Sequence, residues 1–301
     1  MEKISPPEAR AAARNRGPVT GPVTGPVLLA VLGAAFLPAA WNALIKLGTG
    51  RVAAMTVLSA VQGAIGLAVA LAHPFPVAAV WPWLAASGLI HTAYKVFLTH
   101  AYDHGDLSRV YPLARGTAPM IVLAVGAAFL SDALRAPEVL GVLVLGAGIL
   151  TQTRGVWTAG ESRRLLPFAF GSALATAGYT LVDGIGARAA GDAQAFVGWM
   201  FVLDGIGFTT VMLALRGPDA VLPRGGRVWL RGGLAAAASY ASYAIAVWAM
   251  TLAPIALVAA LRETSILFAV LIGWLAFRER MTGGKVLAVA LIVAGVVLTR
   301  L

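Results

Sequence analysis

The segment Ala260–Gly284, which reads ALRETSILFAVLIGWLAFRERMTGG, decides the fold. Arg262 and Glu263 open a long apolar run, and Glu279 stands near its end. An earlier stretch, Leu113–Pro137 or LARGTAPMIVLAVGAAFLSDALRAP, has the same layout of an early arginine, an apolar run and a terminal acid. The likeness of these two stretches predicts that each belongs to one copy of a repeated membrane unit.

The composition predicts a membrane protein. Hydrophobic residues make up 59% of the 301 residues and charged residues only 12%, against roughly 25% charged residues in soluble domains. A transmembrane helix needs about 20 mostly apolar residues, and helices are expected because each satisfies its own backbone polar groups in lipid. Ten segments meet this requirement: 27–47, 52–72, 80–101, 107–131, 137–154, 165–188, 194–215, 227–250, 254–277 and 283–300. The expected fold class is therefore an all-α integral membrane protein with ten transmembrane helices.

The sequence lacks the residues or motifs that several classes of protein function require. Cysteine is absent, which excludes disulfides and thiolate chemistry. The net charge of +10 fits contact with anionic lipid better than contact with nucleic acid. No HExxH, Gly-x-Ser-x-Gly or P-loop motif is present, so we expect no enzyme, no metal and no cofactor. Residues 1–26 carry a Gly-Pro-Val-Thr repeat that opposes helix formation and predicts a disordered cytoplasmic tail.

An internal repeat relates the two halves of the chain. An offset of 147 residues aligns about 40 residues without a gap, and segments 1–5 and 6–10 correspond loosely throughout. Because five is odd, the second copy enters the membrane from the opposite face, which predicts two inverted five-helix repeats at residues 27–154 and 165–300. Secondary transporters are commonly built this way, with the substrate site between the repeats. The aligned pairs include Arg115 with Arg262, Thr117 with Thr264, Gly126 with Gly273, Asp132 with Glu279 and Gly148 with Gly295.

The closing stretch resembles the drug/metabolite transporter superfamily, specifically its EamA type. Gly273, the Glu279-Arg280 pair and the glycine-rich helix through Gly295 carry the resemblance. The first copy has Pro119, Gly126 and Asp132 in matching places, but Ala133 departs from the arginine of the pair. The aromatic-rich central segments look most like the YddG-type amino-acid exporters of bacterial inner membranes. The resemblance implies a multi-pass protein of the bacterial inner membrane with both termini in the cytoplasm.

Ionisable and aromatic residues inside the segments are the candidates for a substrate site, because a charge in the bilayer is costly without a function or a partner. His91, Tyr94 and Lys95 form a polar stripe along one face of segment 3, suited to a zwitterion with an apolar side chain. The alternative is that they hydrogen-bond neighbouring helices. The full set of predicted substrate-binding residues is His91, Tyr94, Lys95, Tyr111, Tyr243, Asn42, Trp41 and Tyr179.

Charged residues near the helix ends are candidates for gates or ion pairs. A loose alignment of segments 1 and 6 places Lys46 over Asp183, which predicts a pair across the repeat interface. Arg115 follows Pro112 and suits either a gate or an arginine that reaches the lipid headgroups. Arg262 and Glu263 point about 100° apart on a helix, so each needs its own partner. Both sets of alternatives stay open at the level of sequence.

These features predict an inner-membrane transporter that exports amino acids, with aromatic and other large neutral ones favoured, by alternating access as the two copies rock. The alternatives are a carrier of sugars, nucleotides or cations, or a membrane protein that does not transport. The expected partners are a small-molecule substrate and membrane lipid, with no nucleic acid. A proton-coupled carrier would need a titrating carboxylate, for which Asp183, Asp204 and Glu263 are the candidates, whereas a facilitator needs none. Monomer and homodimer both remain open.

The distribution of positive charge disagrees with the orientation that the resemblance implies. With both termini in the cytoplasm, seven Lys and Arg residues lie on the cytoplasmic side and thirteen on the far side. The positive-inside rule favours the opposite orientation. We retain cytoplasmic termini as the expectation from the family.

Overall fold

The computed structural model describes residues 23–45, 51–104, 107–130, 132, 134–151, 165–278 and 281–301. These residues form helices and no strands. A 3₁₀ turn, Ala78–Val80, precedes the third helix, and a single helical turn, Pro218–Val221, follows the seventh. The longer helices are α1 Gly25–Ile45, α2 Arg51–Leu71, α3 Trp81–His104, α4 Leu107–Phe129, α5 Ala136–Thr151, α6 Leu165–Ala190, α7 Ala193–Arg216, α8 Gly226–Met250, α9 Ile255–Arg262, α10 Ser265–Phe277 and α11 Gly283–Leu298.

The helices coincide closely with the apolar segments of the sequence, which supports a multi-pass membrane protein. Four stretches of the described chain are long and apolar enough to cross a bilayer: Val52–Leu71, Ala193–Arg216, Gly226–Met250 and Ile255–Ile272. Four shorter apolar helices accompany them, at Gly25–Pro38, Thr117–Phe129, Ala136–Thr151 and Gly283–Leu298. The clearest departure from the sequence prediction is in segment 9, where α9 and α10 are two helices within one span.

The two halves of the chain are interleaved rather than side by side. The most extensive contacts join first-half helices to second-half helices: α2 packs on α7, α3 on α6, α5 on α11 and α1 on α8. The pairs α4 with α6 and α1 with α10 follow the same rule. Two five-helix bundles that rock against each other as rigid units, as the sequence suggested, do not fit this arrangement, because most of the packing would have to separate.

Glycines bring the backbones together where α2 crosses α7. A Cβ on Gly66 would lie 2.6 Å from the carbonyl oxygen of Gly198, and one on Gly198 would lie 2.8 Å from the carbonyl oxygen of Gly66. A Cβ on Gly205 would likewise lie 2.8 Å from the carbonyl oxygen of Ser59. Small residues at such crossings allow close van der Waals packing, which drives helix association within a membrane.

The crossing of α5 and α11 uses the same device. A Cβ on Gly141 would lie 2.7 Å from the carbonyl oxygen of Gly295, and the reverse distance is also 2.7 Å. Gly148 continues the contact, with a would-be Cβ 2.8 Å from Leu291 Cβ. Side chains larger than hydrogen at these positions would force the two helices apart.

Asp192 fixes the start of α7 and ties it to the end of α2. Its Oδ1 accepts hydrogen bonds from the backbone N–H groups of Gln194 (2.9 Å) and Ala195 (3.0 Å), which makes it an N-cap. Its Oδ2 lies 2.7 Å from Nδ1 of His73. Although partial burial acts to raise the pKa of Asp192, the hydrogen bonds from Ala195 and His73 outweigh it and hold the pKa below its ordinary value.

Candidate functional site

A buried polar cluster joins α3, α6 and α8 in the middle of the bundle. Nε2 of His91 lies 2.9 Å from Oδ2 of Asp183. The hydroxyl of Tyr243 donates to the same carboxylate oxygen and lies 3.3 Å from His91 Nε2. Asp183 is fully buried, and among the described residues its Oδ1 has no hydrogen-bond partner. A carboxylate in this position is expensive in a membrane, so it indicates function rather than packing alone.

Aromatic rings surround this cluster. Tyr179 stacks on His91 with ring centroids 4.0 Å apart and an interplanar angle of 21°. Tyr94 meets Tyr179 edge to face at 5.4 Å. The guanidinium carbon of Arg262 lies 4.8 Å from the centroid of the Tyr243 ring, which is cation–π distance. The aromatic wall therefore links the helix that carries Asp183 to the helix that carries Arg262.

A cleft opens beside the aromatic wall, between α4, α6 and α9. The cleft is narrow, and its volume of about 250 Å³ includes the open solvent at its mouth. Arg262 and Glu263 both line it, so a positive and a negative residue border the same small space. Hydroxyl, phenol and apolar groups complete the lining: Thr176, Thr180, Tyr179, Ala118, Pro119, Val122 and Ala259.

The interruption between α9 and α10 places these two charges in the cleft. The backbone N–H of Glu263 donates to the carbonyl of Ala260 (3.0 Å), and that of Thr264 donates to the carbonyl of Leu261 (3.2 Å), which are 3₁₀-type bonds. The Thr264 hydroxyl also donates to the Leu261 carbonyl, at 2.7 Å. Discontinuous helices of this kind are frequent at the binding sites of secondary transporters.

A second buried polar cluster lies on the other side of α3. Nζ of Lys95 forms an ion pair with Oδ2 of Asp204 on α7 and donates to Oγ of Ser59 on α2 at 2.7 Å. Oε1 of Gln62 accepts from the same Nζ at 3.4 Å. These four side chains are all buried. Lys95 therefore points toward α2 and α7, whereas His91, one turn earlier, points toward α6 and α8.

An ion pair at the end of α6 links both halves of the chain. Arg188 donates from Nη1 to Oδ1 of Asp132 (2.7 Å) and from Nη2 to Oδ2 (3.0 Å). Its Nε donates to the carbonyl of Met250 and its Nη2 to that of Ala253, at 2.8 and 3.0 Å. Asp132 also accepts from the backbone N–H of Ile255, the first residue of α9, at 3.0 Å. We call this set of contacts the Arg188 clamp.

The structure brings together most of the predicted site residues whose side chains it describes. His91, Tyr94, Tyr179, Tyr243 and Asp183 meet around the aromatic wall, with Arg262 and Glu263 at the adjoining cleft. Lys95 instead belongs to the second cluster. Five other predicted residues cannot be placed in this way. The side chains of Trp41, Asn42, Tyr111 and Arg115, and the whole of Lys46, lie outside the described residues.

Sequence reasoning did not name several residues that line or support these clusters. Thr176 and Thr180 line the cleft on the same face of α6 as Asp183, at helical spacing from it, so periodicity could have identified them. Ser59 and Gln62 hold Lys95, but nothing in segment 2 alone marks them. Asp204 was a candidate for proton coupling, and its lysine partner is visible only in the fold.

Comparison with known proteins supports the membrane-transport reading. The model of the EamA-like transporter family matches residues 164–301, which is the second half of the chain. A solved structure described only as "Crystal structure of protein" superimposes with a TM-score of 0.72 and 21% sequence identity, covering 91% of this chain and 98% of its own. That similarity shows a shared fold. None of the curated proteins compared matches the chain.

Of these comparisons, the match to the family model is the one that bears on function. EamA-like proteins are transporters and not enzymes, which agrees with the expectation of a non-enzyme. The apolar helices and the buried charged clusters fit a protein embedded in a membrane. Residues 164–301 are thus similar to the EamA-like transporter family, and the apolar helices are those expected of a multi-pass membrane protein.

Proposed function

We propose that this protein carries amino acids across the bacterial inner membrane, with large neutral and aromatic ones favoured, by alternating access. The observation that carries the proposal is the cleft between α4, α6 and α9, which Arg262 and Glu263 both line. A zwitterion fits such a pair, because its carboxylate can bind the guanidinium while its ammonium binds the carboxylate. The apolar lining and the aromatic wall suit a hydrophobic side chain.

The two opposite charges of the cleft favour a zwitterion over the other substrate classes. A simple cation would leave Arg262 facing a positive charge. A carrier of small sugars is the second candidate, since Thr176, Thr180 and Tyr179 offer hydroxyl groups.

Two inverted repeats remain our interpretation of the architecture, and the helix contacts support it. In the proposed repeat, α1 corresponds to α6, α2 to α7 and α3 to α8. Exchanging each helix for its counterpart turns the α3–α6 contact into the α8–α1 contact, and the α2–α8 contact into the α7–α3 contact; all four contacts are present. The α2–α7 and α5–α11 pairs convert into themselves, and both are packed through glycines. The family match to residues 164–301 also covers nearly the same residues as the second predicted repeat.

The Arg188 clamp suits a gate at one end of the pathway. It joins the connection between α4 and α5 to the end of α6 and the start of α9. Ile255 and Arg262 stand seven residues apart on α9, so the clamp lies roughly 10 Å from the cleft along this helix. A gate at this distance could close one entrance without contacting the substrate.

The test is uptake into proteoliposomes that contain the purified protein. We would measure labelled phenylalanine, leucine and other amino acids, with phenethylamine and phenylpropionate as analogues that lack the carboxylate or the amine. We expect the parent to transport phenylalanine and to reject both analogues strongly, because each lacks one of the two charged groups that the proposed site binds. Arg262→Gln and Glu263→Gln should each lose phenylalanine uptake, and Asp219→Asn should not.

Asp219 is the matched control because it forms an exposed ion pair with Arg224 outside the bundle. Uptake of both analogues at the rate of phenylalanine would contradict recognition of a zwitterion. Uptake of sugars in place of amino acids would support the second candidate.

A further inference from the structure

We propose that Ser59, Gln62 and Asp204 form a binding site for a monovalent cation, and that the ammonium group of Lys95 permanently fills it. Under this proposal Lys95 acts as a tethered cation that takes the place of a sodium ion. The carrier then needs no sodium, although it keeps the oxygen ligands of a sodium site. This inference does not depend on the amino-acid substrate proposed above.

The first argument is the donor set around Nζ of Lys95. One carboxylate oxygen (Asp204 Oδ2), one hydroxyl (Ser59 Oγ) and one amide oxygen (Gln62 Oε1) surround it. Hard cations in proteins take oxygen ligands of these three kinds. The single negative charge of Asp204 matches the single positive charge of an ammonium or a sodium ion. Among the described residues, no group of three or more His, Cys, Asp and Glu side chains could hold a metal ion, and Asp204 is the single acidic ligand here.

The second argument is that the ligands are prearranged. Nε2 of Gln62 donates to Oγ of Ser239 on α8 at 3.0 Å, which directs Oε1 toward Lys95. Ser59 and Asp204 are fully buried, and Gln62 is 2% exposed. The ligands come from α2 and α7, whose glycine crossing holds the two backbones at a fixed spacing. Oxygen ligands arranged in advance can replace the hydration shell of a cation.

The third argument is the unused capacity of Asp204. Its Oδ1 is buried and has no hydrogen-bond partner among the described residues, so one of its two oxygens is left for a further ligand to bind. A purely structural role does not explain why Lys95 and Asp204 are buried, because a buried ion pair contributes little stability compared with apolar residues of the same volume. In a membrane protein the cost of such groups indicates an ion site or an ion pathway.

The test removes the tethered cation and offers a free one. Lys95→Ala deletes the ammonium and leaves the three oxygen ligands with the space of the lysine side chain. We would measure the melting temperature of the purified protein in sodium, potassium or choline chloride at equal ionic strength. We expect a saturable rise of roughly 5 °C in sodium for Lys95→Ala, as for any ligand that binds only the folded state. The parent should show no difference between the salts.

The double variant Lys95→Ala/Asp204→Ala is the control, because it has neither the ammonium nor the carboxylate. It should fold in every salt and show no response to sodium or potassium. Equal melting temperatures of Lys95→Ala in all three salts would overturn the proposal. So would a Lys95→Ala variant that fails to fold in every salt while the double variant folds. No substrate enters these measurements, so a failed uptake assay would contradict the proposed function and leave this result standing.

Discussion

The Arg188 clamp gives the sharpest prediction about the transport cycle. Arg188→Gln removes both hydrogen bonds to Asp132 and leaves that carboxylate, only 7% exposed, without its counter-ion. Breaking a fully buried ion pair by removing one partner costs ~3–5 kcal/mol. The side chain of Arg188 is 22% exposed, and solvent screening reduces the expected cost to about 2 kcal/mol. If the clamp exists only when this end is closed, that energy shifts the balance toward the state open here by a factor of roughly 30.

The chain contains no cysteine, so a single introduced cysteine reports access without background. We would place it at Ala259, which lines the cleft and is 6% exposed. The rate of reaction with a membrane-impermeant maleimide would be measured from each side of oriented vesicles. In Arg188→Gln we expect the rate from the clamp side to rise roughly 10- to 30-fold. Arg188→Lys should lie between this variant and the parent, because lysine keeps the charge without the two-pronged geometry.

The control for this experiment is Arg224→Gln, which breaks an ion pair that is 90% and 85% exposed. It should change neither the labelling rate nor the melting temperature. If Arg188→Gln lowers the melting temperature while labelling from both sides stays at the parent rate, the clamp is structural and the gating argument is wrong.

Three further predictions concern stability and the site. Gly205→Ala should destabilise the protein by ~1–3 kcal/mol, because the added Cβ would lie 2.8 Å from the carbonyl oxygen of Ser59. This loss would be measured as a lower melting temperature. Gly33→Ala is the control and should not destabilise the protein, because the space around Gly33 is open. Tyr243→Phe removes one donor to Asp183 and should slow uptake at least several-fold, with ~1–3 kcal/mol lost in thermal unfolding; equal uptake by parent and variant would contradict a role for this hydroxyl. Asp192→Asn keeps the N-cap but removes the charge. Because folding lowers the pKa of Asp192, its charge stabilises the protein fully above pH 3.8, and this contribution is lost as the pH falls through the lowered pKa. The melting temperatures of the parent and of Asp192→Asn should therefore converge at low pH.

Hydropathy predicted most of the fold because each membrane span must satisfy its own backbone. The observed helices begin and end close to the predicted segments for this reason. The interruption at Glu263 was not predicted, since no glycine or proline marks it in the sequence. The glycine crossings were also not predicted. Gly66 and Gly198 are unremarkable in sequence, and only the register of α2 on α7 brings their backbones together.

Sequence reasoning identified candidate residue types for the site, but it did not identify which of them contact one another. His91 and Lys95 lie one turn apart, and sequence reasoning placed both in a single substrate stripe. The fold separates them, because α3 lies between two different neighbours and each side chain meets the nearest carboxylate. His91 reaches Asp183 on α6, and Lys95 reaches Asp204 on α7. Which carboxylate neutralises which base depends on the packing of three helices and cannot be read from any one of them.

The same contacts indicate where the molecule can divide during transport. Charges on α3 balance carboxylates on α6 and α7, so separating α3 from these helices would expose unpaired groups to lipid. The glycine crossing likewise holds α2 on α7. Helices α1, α2, α3, α6, α7 and α8 are therefore expected to move together, although they come from both halves of the chain.

The remaining helices form the second expected body. Helices α5 and α11 pack closely on one another through glycines, and α4, α9 and α10 connect them to the rest. The boundary between the two bodies crosses the α4–α6 and α1–α10 contacts, and α9 meets both α1 and α6 along it. Both the cleft and the Arg188 clamp lie on this boundary. A motion along it would open the clamp and change access to the cleft in one step, while every buried charge on α3 keeps its partner.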